Sequence, residues 1–242
     1  MSADAGELSP STPAPVAPAA AVVPGSVGIL GGTFDPIHHG HLAIAEEVRE
    51  RLGLERVLFV PARVPPHRSL EPGASAEDRF AMVSLAVADN PAFEVSRVEL
   101  DRPGLSYSVD TVALLSDAER AVGREPNLWF IASAEAIRGL PTWRQPERLV
   151  GMTRFAVVPR AGADPLDEAW LTSRLPAAAG RVMLLDGPLM LVSGTVIRAR
   201  AAAGRSLRYL VPEAVARYIG DHRLYRRDES TSPEPAQETH RP

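Results

Sequence analysis

Short apolar runs alternate along the chain with longer segments whose apolar positions recur every three or four residues, a rhythm that repeats from residue 27 to residue 221. The run 27–30 (VGIL) meets Gly31 and Gly32, and the stretch 42–52 then sets Leu42, Ile44, Ala45, Val48 and Leu52 among charged residues. A four-residue apolar run stopped by glycines suits a buried strand, and the wider spacing gives one apolar stripe on a helix. The run 57–60 (VLFV), ended by Pro61, predicts a second strand, and 76–88 predicts a second helix with Ser75 or Ala76 near its start. Further strands are predicted at 128–132, 155–158 and 182–185, each short and apolar enough to be buried in a parallel sheet. Further helices are predicted at 109–120, 195–203 and 212–221, the last opening on Pro212 in a favoured first-turn position. This order predicts an α/β fold, a Rossmann-like doubly wound parallel sheet in a single domain over residues 26–226. Ligands are expected at the carboxyl ends of its strands.

Outside that region the rhythm stops. Residues 1–25 are rich in Ala, Pro and Ser, residues 227–242 are polar with prolines, and both segments are expected to be disordered tails. The apolar run 19–23 lacks a preceding positive segment and is closed by Pro24, so no secretory signal is expected. No stretch has the length of about 18 apolar residues that spans a bilayer. A net charge of −4 and a pI near 5.9 speak against a nucleic-acid or membrane surface, leaving room for a small anionic substrate held by local charges. The absence of cysteine removes disulfides, thiolate metal sites and a cysteine nucleophile, and fits a cytoplasmic protein.

The densest chemistry lies in 31–41 (GGTFDPIHHGH). Gly31 and Gly32 after a strand let the backbone turn sharply and approach a ligand without Cβ interference. Thr33 and Asp35 put polar groups in the turn and Pro36 fixes its shape. His38, Gly40 and His41 sit at the entrance to the helix, where unpaired backbone N–H groups and the helix dipole favour an anion. Two imidazoles three residues apart there face one phosphate chain. The loop reads as a nucleotide-phosphate site.

The string 32–42 (GTFDPIHHGHL) resembles the signature of the nucleotidyltransferase superfamily marked by His-x-Gly-His, here residues 38–41. Within it the chain resembles the bacterial nicotinate-nucleotide adenylyltransferases from residue 27 to about residue 225. The resemblance rests on 60–68 (VPARVPPHR), 106–111 (SYSVDT), 140–143 (LPTW), 192–198 (VSGTVIR) and 218–225 (YIGDHRLY). It implies transfer of the adenylyl group of ATP to nicotinate mononucleotide, giving deamido-NAD and pyrophosphate. His38, His41 and Arg198 are then the catalytic group. Gly31, Gly32, Thr33, Phe34, Gly40, Ser193, Gly194 and Thr195 bind ATP, and Ser108, Trp143, His67, Arg68 and Glu135 bind the mononucleotide, with Trp143 stacked on the pyridine ring. Mg2+, bound mainly through ATP phosphates and water, is the implied cofactor, with no dedicated protein metal site. A homo-oligomer is compatible with this reading.

Four positions depart from the family pattern: Ser133 and Glu135 stand where Gly-x-Asp is usual, Gly194 replaces the second serine of the phosphate motif, and Ser108 replaces a threonine. The alternatives are another nucleotidyltransferase of the pantetheine-phosphate type, a decayed nucleotide-binding paralogue, and a Rossmann dehydrogenase. The last is weakest, since the loop lacks the third glycine of G-x-G-x-x-G.

Overall fold

The apolar run 27–30 lies inside a ten-residue strand, β1 (Val23–Gly32), and the helix that follows, α1 (His39–Leu52), begins three residues before the expected start. The computed structural model describes residues 19–66, 73–158, 166–187 and 190–226. The end of the expected N-terminal tail is ordered where described: Ala20 N–H donates to the Glu50 carbonyl (2.8 Å) and Val23 N–H to that of Gly53 (2.7 Å). Residues 1–18 and the C-terminal tail from 227 lie outside the described residues.

The remaining elements are β2 (Leu54–Pro61), α2 (Ala76–Val87), β3 (Phe93–Val95), α3 (Ser108–Ala121), β4 (Asn127–Ser133), α4 (Ala134–Gly139), α5 (Pro146–Met152), β5 (Arg154–Val158), α6 (Glu168–Arg174), β6 (Val182–Leu184), α7 (Gly194–Ala202) and α8 (Glu213–Asp221). The six strands form one parallel sheet in the order β3-β2-β1-β4-β5-β6. The apolar runs read as strands because the sheet is covered on both sides. Along β2 the side chains alternate: Val57 and Phe59 join a core with Ala45, Val48, Met82, Val83, Ile197 and Val215, while Leu58 and Val60 join another with Ile29, Val112, Ile137, Leu149 and Phe155. Phe59 and Phe155 are fully buried, each contributing about 1.5–3 kcal/mol by area removed from water. Strand β6 departs from the expected buried run, since it is the sheet edge and leaves Met183 and Leu184 exposed.

The chain winds outward from β1 to β2 and β3, then returns to lay β4 against the other side of β1. Loops leaving β1 and β4 therefore diverge, opening a crevice at the carboxyl ends of these two strands.

Candidate active site

That crevice is a cleft of about 540 Å³ floored by the ends of β1 and β4 and walled by the loop after β1, the start of α3 and the start of α7. Phe34 follows β1 with a left-handed φ of 49°, and its buried ring folds back over Gly32, where a Cβ would lie 3.1 Å from it. Its ring meets that of His41 edge-on at 5.1 Å, so Phe34 supports the histidine from below.

Helix α1 starts at His39, which makes His38 the N-cap and puts Gly40 and His41 in the first turn. Of the motif's backbone N–H groups, that of His39 donates to the Leu210 carbonyl (3.1 Å) and that of His41 to the His38 carbonyl (2.9 Å). The rings of His38 and His41 stack 3.7 Å apart and 21° from parallel. Gly40 permits this, since a Cβ there would stand 3.1 Å from His38 Nδ1. The backbone N–H of His38 donates to His41 Nδ1 at 3.3 Å. A neutral ring that accepts at Nδ1 carries its proton on Nε2, so His41, which lines the cleft, is set as a donor.

The opposite wall is the start of α7. Ser193 is its N-cap, the hydroxyl accepting from Val196 N–H (3.3 Å), and Gly194 is the first helical residue. One turn on, Arg198 Nη1 donates to the backbone carbonyl of Asp35 (2.6 Å) and Nη2 to the Thr195 hydroxyl (3.3 Å). Nη1 also lies 3.5 Å from Asp35 Oδ2. Arg198 thus has a carboxylate partner that is buried within the phosphate loop, and it lines the cleft as well.

Asp35 and Arg79 were not among the expected site residues. The Asp35 carboxylate accepts from Gly73 N–H (2.8 Å), Ala74 N–H (3.1 Å) and the Tyr225 hydroxyl (2.8 Å). Burial, reinforced by the neighbouring Asp35 charge, pushes the Tyr225 phenol far up and keeps it a donor. Arg79 is fully buried and its guanidinium donates to the carbonyls of Thr33 (2.7 Å), Arg63 (3.2 Å) and Ala74 (3.3 Å), tying the phosphate loop to the loop after β2. Its signal was readable: Arg79 shares a helical stripe with Met82, Val83 and Ala86, a cation on an otherwise apolar face.

Around the third wall, Ser108 opens α3 and lines the cleft beside Ser106, Thr111 and Glu99. The Ser106 hydroxyl accepts from Arg63 N–H (3.0 Å) and the Thr111 hydroxyl donates to Glu99 Oε1 (2.6 Å). Burial pushes the Glu99 carboxyl up, opposed by hydrogen bonds from Thr111 and Ser106 and by the charges of Arg102 and Arg79. Glu99 too was missed by sequence reasoning, being one acid among several in 94–101. Half-buried Trp143 lines the cleft with its ring braced edge-on by Phe130 at 5.9 Å.

Ser133 sits in ordinary extended backbone (φ −77°, ψ 158°) and caps α4, its hydroxyl accepting from Ala136 N–H at 3.2 Å. Nothing at that point requires glycine. Glu135, expected to contact the mononucleotide, is exposed on the first turn of α4 and is not among the residues that line the cleft, whereas Ser133 and Ala136 are. The expected contacts His67 and Arg68 lie outside the described residues. Among the described residues no group of three or more His, Asp or Glu could hold a metal ion, and none of their helices is long and apolar enough to cross a membrane. With the Asp35 carboxylate saturated by protein donors, the donor set fits a cation carried in by phosphates.

Comparison with known proteins places the chain in a family and a fold. The sequence model of the family described as Cytidylyltransferase-like matches residues 29–200. A protein of Roseiflexus sp. (strain RS-1) named probable nicotinate-nucleotide adenylyltransferase is 50% identical over 200 residues, covering 83% of this chain and 98% of its own. A protein of Symbiobacterium thermophilum with the same name is 48% identical, covering 84% and 97%. Among solved structures, the Plasmodium falciparum nicotinic acid mononucleotide adenylyltransferase complexed with NaAD superposes with a TM-score of 0.67 at 17% identity, covering 83% of this chain and 97% of that one. At that identity the likeness is one of fold.

Proposed function

The chain belongs to the nicotinate-nucleotide adenylyltransferases of the cytidylyltransferase-like family, and from this we propose that it transfers the adenylyl group of ATP to nicotinate mononucleotide, forming deamido-NAD and pyrophosphate. One observation carries the reading at atomic level. The stacked His38–His41 pair at the start of α1 and Arg198 at the start of α7 line one cleft, giving two helix N-termini and three donor side chains to a polyphosphate.

In this reaction a phosphate oxygen of the mononucleotide forms a bond to the α-phosphorus of ATP. The bond from that phosphorus to the bridging oxygen breaks, and pyrophosphate leaves with the electron pair. The nucleophile is already an anion, so alignment and charge neutralisation are what the protein supplies. In our reading His41 donates from Nε2 to the α-phosphate as charge shifts toward the leaving group, and His38 contacts the same chain. Arg198, Thr195 and the α7 N-terminus hold the β and γ groups. Gly31, Gly32, Thr33 and Gly40 supply close backbone approach, with Phe34 beneath His41. Trp143 offers a braced aromatic face to the pyridine ring, and Ser108 a hydroxyl beside it. A divalent cation, Mg2+ in our reading, would be held by the ATP phosphates and water and would offset phosphate charge. ATP as substrate suits a cytoplasmic reaction.

The test is pyrophosphate release by the purified protein with ATP, Mg2+ and either nicotinate or nicotinamide mononucleotide. Release with the nicotinate form is expected, and no release with either acceptor would overturn the proposal.

A further inference from the structure

The Asp35 carboxylate is the most heavily tied group beside the cleft, and its partners come from three distant parts of the chain. Oδ2 accepts from Gly73 N–H at 2.8 Å and lies 3.5 Å from Arg198 Nη1; Oδ1 accepts from Ala74 N–H at 3.1 Å and from the Tyr225 hydroxyl at 2.8 Å. Its side chain is only 1% exposed, so every donor it has comes from protein. Two of those donors are the backbone amides of Gly73 and Ala74. The other two are the Tyr225 hydroxyl and the Arg198 guanidinium. Tyr225 is itself held firmly: its ring packs on Gly73, where a Cβ would stand 3.0 Å away, and its backbone keeps a left-handed φ of 64°, which a non-glycine residue holds only when surrounding contacts over-determine it.

We propose that Tyr225 is a positioning residue for nucleotidyl transfer, its hydroxyl satisfying the Asp35 carboxylate so that the Arg198 guanidinium stays on the cleft. This rests on the reading above, in which Arg198 holds the ATP phosphates. A buried carboxylate short of one donor draws in the nearest mobile one, because an unsatisfied charge in that setting is costly. Here the mobile donor is Arg198, already bonded through Nη1 to the Asp35 carbonyl. Tyr225, 190 residues from Asp35 in sequence, thus sets how far the guanidinium is pulled from the polyphosphate toward the loop.

The test is a double-mutant cycle on steady-state kinetics of pyrophosphate release, using the full chain. Tyr225→Phe keeps the ring on Gly73 and removes the hydroxyl; it is expected to lower kcat/KM for ATP by about tenfold, the scale of losing a hydrogen bond to a charged group, with KM for nicotinate mononucleotide unchanged. In an Arg198→Ala background the same substitution is expected to have little further effect. Equal losses in both backgrounds, or none in either, would overturn the proposal. Should Tyr225→Phe melt below assay temperature, p-aminophenylalanine at position 225 restores a donor on the same ring; activity near that of the unaltered enzyme supports the proposal, and activity as low as that of Arg198→Ala overturns it. Absence of release by the unaltered enzyme removes the functional reading, and this proposal with it, and is seen before any variant is compared.

Discussion

Gly194 faces the backbone carbonyl of Asp35 so closely that a Cβ built on it would lie 2.7 Å from the oxygen and 3.2 Å from Arg198 Nη1. The nearest atom is a carbonyl that already accepts from Arg198 (2.6 Å), in a loop tied by Arg79 at the Thr33 carbonyl and by the Gly73 and Ala74 amides at the Asp35 carboxylate, so the strain falls on the start of the helix. Glycine in place of the usual serine of the phosphate motif is therefore coupled here to a close approach of α7 to the loop. Gly194→Ala is expected to destabilise the protein by about 1–3 kcal/mol through overpacking and to raise KM for ATP severalfold as Arg198 moves with α7. Urea denaturation together with ATP kinetics checks this, and an unchanged midpoint would show that the contact relaxes freely.

His41 is the best-prepared donor in the cleft, since its Nδ1 is occupied by the His38 N–H and its ring is held between those of Phe34 and His38. His41→Ala is expected to lower kcat by a factor of about 100 or more, the scale of losing a preorganised donor to the transition state. KM for ATP should change far less. Near-normal turnover, measured as pyrophosphate release at saturating substrates, would remove His41 from that role.

How much of this was legible beforehand depends on how local each feature is. Strands β1, β2, β4 and β5 were readable because burial on both faces makes them continuous apolar runs, and the phosphate loop because its chemistry sits in eleven consecutive residues. Strand β3 has three residues, and α4, α5 and α6 have six or seven, too few for a helical period to stand out. The start of α1 was placed late because His39 to His41 add nothing to the apolar stripe, although they form its first turn. The role of Asp35 was hidden for a different reason. It looked like a turn residue, and its donors lie 38 to 190 residues away, contacts that only the folded chain creates. Glu135 was read from the motif spacing alone, which does not show that α4 begins directly after Ser133 and leaves Glu135 exposed in its first turn.

Ser133 separates a stability effect from a binding effect. Its hydroxyl caps α4, so Ser133→Ala is expected to cost about 1 kcal/mol and Ser133→Gly only a few tenths, following the usual ranking of N-cap residues. Both variants should keep KM values close to those of the unaltered enzyme. Thermal melts ranked Ser, Gly, Ala confirm capping; a large gain in nucleotide affinity with glycine would instead mean that the serine crowds the pocket.

Trp143 presents a ring whose edge is braced by Phe130, which lowers the entropy lost when a planar ligand stacks on it. Aromatic stacking of about 0.5–1.5 kcal/mol beyond area burial corresponds to a KM change of roughly two- to tenfold. Trp143→Ala should raise KM for nicotinate mononucleotide by that amount and Trp143→Phe by less, with KM for ATP unaffected in both. Equal effects on the two substrates would indicate a general loosening of the cleft.

The buried Glu99 gives a pH signature with a definite sign. Burial holds its carboxyl above the ordinary carboxylate range in the folded protein. Between the unfolded and the folded value the native state therefore binds more of this proton than the unfolded state, so stability from this group falls as pH rises through that window and stays lower above it. Glu46 acts in the opposite sense, because its hydrogen bond from Arg49 lowers its value and the stability it contributes is lost as pH falls. The raw pH profile mixes the two, and the difference between Glu99→Gln and the unaltered protein isolates Glu99. The amide still pairs with the Thr111 hydroxyl, which accepts as readily as it donates. Glu99→Gln should thus gain stability relative to the parent at neutral pH, with the gain shrinking toward zero in acid, where Glu99 is protonated in both states. Denaturant midpoints of both proteins across that range are the measurement; a difference independent of pH would mean that the Glu99 carboxyl is not held up by its burial.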